Sequence, residues 1–188
     1  MHRKIAPASP HKRPIMQHLD YTRLLAVKVS YYGGWGRYRK RTPDPWTEEQ
    51  ARAAHDQRKP YTVLISSVER PRCFVEIGGD VCFVEFLDEY LRNYLSYSFM
   101  ESKPGLMFMQ RFTRRFYGGI SDRTTHALSI SMNRDGTTKG KRVFYDPPPG
   151  RTESGDGTAD VSICYSPRPA FGHYEEITRE DRELPAAA

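Results

Sequence analysis

Beyond residue 60 the chain alternates apolar and polar positions with a period of two, the mark of strands with one buried and one wet face. The clearest case is Thr125–Asn133, where Leu128, Ile130 and Met132 point one way and Ala127, Ser129 and Ser131 the other. In Asn93–Met100 the apolar set is Leu95, Tyr97 and Phe99. Leu106–Tyr117 reads as Leu106, Phe108, Phe112 and Phe116 on one face, with Met107, Met109, Arg111 and Arg115 on the other. Tyr61–Glu69, Arg72–Ile77 and Val81–Leu87 complete a set of short strands. Gly78–Asp80 makes a hairpin of the last two, and Pro104-Gly105 turns the chain before Leu106. Further strands are expected at Leu24–Tyr32, at Arg142–Tyr145, and over Val161, Ile163 and Tyr165. Residues 147–157, with three prolines and three glycines, read as a loop. Gly155-Asp156-Gly157 and Asp135-Gly136 both read as turns.

One segment has the signals of a helix, over residues 47–58. Thr47 with Gln50 three residues on is a capping box, and Trp46 is placed to staple against Ala51. Glu48 and Glu49 suit the positive end of the helix dipole, Arg58 and Lys59 the negative end, and Pro60 stops it. A short acidic helix is expected over Glu175–Glu183. The fold class is therefore α+β and mainly β: an antiparallel meander or half-barrel of about seven to eight strands, with one clear helix. The domain reading is a basic leader at 1–18 (Met16 an alternative start), one domain over 19–183, and a tail at 184–188.

Composition narrows the class. The chain has 188 residues, 38% of them hydrophobic, enough for a core. No apolar run approaches the ~20 residues that span a bilayer, and no apolar segment follows the basic N-terminus as in a signal peptide. A cytoplasmic protein without a membrane partner is expected. The three cysteines, Cys73, Cys82 and Cys164, lie in apolar runs and read as packing thiols. Charge is uneven: the net +6 divides into +8 over residues 1–60, +2 over 61–146 and −4 over 147–188.

No motif for catalysis stands out. Of six histidines, His2, His11 and His18 lie in the leader, His55 on the outer side of the helix, His126 at the start of an apolar face, and His173 in a turn. No two have metal-ligand spacing, and no serine sits in a nucleophile elbow, so neither metal nor cofactor is expected. Glu76 and Glu85 flank one hairpin and read as a wet face. Tyr31–Arg41 interleaves rings, glycines and cations, a composition that can stack on bases and meet phosphates. It equally suits a Gly-rich turn whose rings pack on a sheet. Arg111, Arg114, Arg115 and Arg123 read as cross-strand salt-bridging residues.

Val84–Phe99, Glu101, Pro104–Met109, Asp160-Val161-Ser162, Pro169–Tyr174 and Arg182 together resemble a group of small bacterial proteins of interbacterial toxin systems, type VI secretion and polymorphic toxins, among them immunity proteins. The resemblance spans roughly residues 60–183 and leaves out the leader and Tyr31–Arg41. It implies a cytoplasmic protein that is not an enzyme and that neutralises a cognate protein toxin by occlusion. Such binding rests on a few aromatic and Arg anchors in ~1,600 Å² of interface. By residue type the candidate anchors are Trp35, Arg37, Tyr38, Arg111, Arg115 and Tyr117. The alternative is a nucleic-acid-binding protein that uses the basic aromatic N-terminal segment.

Overall fold

The computed structural model describes residues 28–36, 39–42 and 44–182. Eleven strands join in one antiparallel open sheet, more than the seven or eight expected, and no barrel closes. They are β1 (Val29–Tyr32), β2 (Pro45–Trp46), β3 (Tyr61–Ser66), β4 (Pro71–Gly78), β5 (Val81–Leu87), β6 (Asn93–Lys103), β7 (Leu106–Tyr117), β8 (Thr124–Met132), β9 (Thr137–Phe144), β10 (Arg151–Thr158) and β11 (Tyr165–Pro167). From β3 to β10 each strand pairs with the next in sequence, because short turns join them. Gly79 at φ 53° and Gly105 at φ 79° supply the left-handed positions of two of those turns. β1 and β2 extend the sheet beyond β3, and β11 pairs with the start of β7. The leader (1–18), residues 24–27 of the first expected strand and the tail (184–188) lie outside the described residues.

The one α-helix among the described residues, α1 (Glu48–Asp56), begins as the sequence predicts: Thr47 accepts from the Gln50 amide while the Gln50 side chain accepts from the Thr47 amide. Its buried face is Ala51 and Ala54, residues small enough to let the helix lie close against Tyr31 and Tyr61. This first face of the sheet holds the main core, from Val63, Val75 and Val84 through Phe86, Leu95, Tyr97 and Phe99 to Met109 and Phe112. The stretch 159–182 covers it further, burying Cys164, Tyr174 and Ile177. On the opposite, second face a smaller cluster of Tyr32, Trp35, Leu64, Phe74 and Leu87 packs at the β1–β5 end.

Four expectations are corrected. The 147–157 loop is largely strand: β10 pairs with β9 over all eight of its residues, Gly155–Gly157 included. Its sequence hid this because it is exposed along nearly its whole length and has no apolar side to alternate. Val161, Ile163 and Tyr165 do not form one strand; a single 3-10 turn at Ser162–Cys164 precedes the three-residue β11. Over 175–182 there is no helix, only turns. A single i→i−4 bond forms, from the Thr178 amide to the Tyr174 carbonyl, but the Arg182 guanidinium takes the Glu176 carbonyl, an acceptor that a longer helix would need. Finally, β7 changes parity. Ser98 faces Arg111 but Phe99 faces Met109, leaving Gln110 as a bulge. Met107 and Met109 thereby join Phe112 on the core face, and Phe116 ends up exposed.

Candidate binding face

The described candidate anchors share the second face. On β7 Arg111, Thr113, Arg115 and Tyr117 project to that side, opposite Ser98 and Ser96 of β6 and Ser131, Ser129 and Ala127 of β8. Trp35 stacks on Phe74 with ring centroids 5.3 Å apart, placing it on the same side at the other end. Arg37 and Tyr38 lie outside the described residues.

Between Trp35 and Tyr117 lies a cavity of about 180 Å³ that Glu85, Leu87, Asn93 and Lys40 help to line. Its walls are held firmly. Arg92 lies between the Tyr90 and Tyr117 rings, 4.7 and 4.5 Å from their centroids. Its guanidinium donates to Asp88 Oδ2 and to the Gly119 and Ser121 carbonyls, all at 2.7 Å. Burial works against the charged Asp88, but hydrogen bonds from Arg92 and the Tyr90 amide outweigh it and hold that carboxyl below its ordinary range. The Tyr117 hydroxyl donates to the Asn93 carbonyl at 2.7 Å, and burial raises its pKa. Arg115 donates to the side chains of Asn93 and Ser96, and Asn93 donates to Glu85. Across the opening, Lys40 bonds Asp122 at 2.7 Å and the Tyr90 carbonyl at 3.0 Å.

Toward the far end of the face a second hollow, about 360 Å³, is lined by Ser98, Gln110, Arg111, Ser131 and Asn133. The β7 bulge opens it by displacing Gln110 from the ladder. Arg111 is exposed and has no carboxylate partner among the described residues, so the salt-bridging expected of it is absent. Arg114 projects to the first face, where Leu95 and Leu128 flank it, and Arg123 meets Asp146 at 3.6 Å. Sequence reading passed over Lys139 and Lys141, which stand on this face opposite Ser131 and Ser129. Their signal was alternation in Thr137–Phe144, concealed by starting that strand at Arg142.

The rings proposed for base stacking are packed instead. Tyr31 faces the helix and stacks on Phe171 at 5.0 Å, while Tyr32 and Trp35 are 6% and 8% exposed. His55, expected outside, is half-buried, its Nδ1 2.8 Å from the Tyr61 hydroxyl, which is 3.3 Å from that of Tyr174. Burial raises Tyr61 to about 12 and lowers His55. His126 stacks between Phe116 and Phe144, at 4.1 and 5.7 Å. The three cysteines are buried free thiols, and burial raises Cys73 to about 12 and Cys164 to about 11. Among the described residues no group of three or more His, Cys, Asp or Glu could hold a metal ion, and no helix is long and apolar enough to cross a membrane.

Compared with protein-family models, curated proteins and solved structures, the chain finds no match.

Proposed function

We propose that this protein is an immunity-type binder that neutralises a cognate bacterial toxin by covering it, without catalysis. What supports the reading is the gathering of Trp35, Arg111, Arg115 and Tyr117 on one face of an open sheet. Past β5 that face exposes Arg111, Lys139 and Lys141, whereas the first face is closed by α1 and 159–182. A rigid sheet suits occlusion, since little ordering entropy is lost when it docks. Trp35 and Tyr117 frame a cavity that an inserted side chain could fill, and Arg115 is already positioned by Asn93 and Ser96. Arginines on a partly aromatic face are among the residues enriched at interface hot spots.

The test is co-expression with the toxin domain encoded beside its gene. The two proteins should co-purify as a stoichiometric complex, and cells making both should grow. A toxin that is neither retained nor neutralised would sink the reading. Within a complex, Arg111→Ala, at an exposed position of that face, is expected to weaken binding at least tenfold, measured by calorimetry.

A further inference from the structure

Beyond β5 the second face carries cations that the fold leaves unanswered. Arg111 stands between Ser98 and Ser131, and Ser131 stands opposite Lys139. One row along, Thr113 and Ser129 lead to Lys141. All three cations are exposed, and none bonds a described residue. With strands about 4.8 Å apart and about 3.4 Å per residue, Arg111 is about 10 Å from β9, and the two lysines are about 7 Å from each other. Those spacings are close to the Debye length of about 8 Å in physiological salt, so their fields add over the patch.

Six arginines elsewhere in the fold are treated differently. Arg58, Arg72, Arg92, Arg168, Arg179 and Arg182 each meet a carboxylate. The acidic C-terminal stretch is committed to the first face, where Glu180, Asp181 and Glu176 pair with Arg72, Arg179 and Arg182. In the second-face rows from β6 to β10 the one carboxylate is Asp156, at the sheet edge opposite Lys139. Residues 1–27 carry five Lys or Arg against one Asp, a net charge of the same sign as the patch.

We propose that this patch docks an acidic protein surface, whose carboxylates meet Arg111, Lys139 and Lys141 while Ser98 and Ser131 hydrogen-bond between them. The inference deepens the occlusion reading and rests on it in taking the partner to be a protein. A single-stranded nucleic acid fits less well, because stacking needs open rings. The one open ring in these rows among the described residues is Phe83 on β5, which faces Ser98 at 39% exposure, while Arg92 covers Tyr117, so successive bases would find a single stacking surface.

The experiment needs no toxin. Isotope-labelled full-length protein is titrated with a poly-L-glutamate of about thirty residues and, separately, with single-stranded DNA of equal charge. Poly-glutamate should shift the amide signals of Arg111, Ser131, Lys139 and Lys141. Arg111→Glu and Lys141→Glu should each weaken it about tenfold, while Arg70→Glu, in the β3–β4 turn, leaves it unchanged. Shifts confined to other parts of the chain, or equal losses in all three variants, would overturn the proposal. So would tighter binding of the DNA on the same amides. Any of those results leaves toxin neutralisation standing, and failed neutralisation with a positive titration would overturn only the occlusion reading.

Discussion

Arg182 is a charged side chain at 3% exposure, and its setting explains how the last described segment is held. It donates to the Ile163 carbonyl at 3.0 Å, to Ser166 Oγ at 2.6 Å and to Glu176, and lies 5.7 Å from the Phe99 ring. Burial lowers its pKa, but an arginine stays charged, so its loss leaves those acceptors buried and unmet. Arg182→Ala should destabilise the protein by about 3 kcal/mol, read as a lower urea midpoint. No sequence pattern marks such a role, because its acceptors are backbone carbonyls and a serine brought together by the chain's path. The packing of Cys73, Cys82 and Cys164, by contrast, was legible from the apolar runs around them.

At the scale of elements, legibility followed local chemistry. The α1 start was readable because a capping box joins residues three apart, and Thr47→Ala should cost about 1 kcal/mol by removing a cap, measured by chemical denaturation. β4, β5, β6 and β8 were readable because one side of each is apolar. β7 was only half readable. Period two predicts its outer half, but the bulge at Gln110 reverses the inner half, and a bulge is set by the partner strand's register. β10 was unreadable, since its order comes from backbone pairing with β9 while its side chains face water. The helix expected over Glu175–Glu183 is absent from 175–182 for the opposite reason: the local pattern suited a helix, but after one Thr178-to-Tyr174 bond the Arg182 guanidinium takes the Glu176 carbonyl.

At the scale of the molecule, two titrating groups join distant parts of the fold. Glu101 accepts from the Gly105 amide and pairs with Arg58 beyond α1 and with Arg168 beyond β11. The Gly105 hydrogen bond, helped by Arg58, depresses its pKa against the opposing effect of burial. A depressed carboxyl contributes stability above its unfolded pKa of about 4.3, and that contribution is lost as pH falls through the folded value. His55 is depressed by burial and by Arg168, so the folded state favours its neutral form. Its contribution is complete above about 6.5 and falls as the pH drops below that. Both slopes have the same sign. Stability should fall in two stages on acidification, first below about 6.5 and again below about 4.3, in denaturant midpoints taken at several pH values. His55→Gln should remove the first stage, and Glu101→Gln should shrink the second, to which the depressed Asp88 also contributes.

The sequence by itself determined a mainly β antiparallel chain with a capped helix, because side-chain alternation and capping are local properties of neighbouring residues. It also marked Arg111, Arg115, Tyr117 and Trp35 by residue type, with nothing to say that they belong together. Tertiary structure alone decided that they share one face, that Lys139 and Lys141 stand beside them, and that the Tyr31–Trp35 rings turn inward. The reason is that a face of a sheet is assembled from register across strands far apart in the chain, and register depends on turns, bulges and pairing that no single strand encodes.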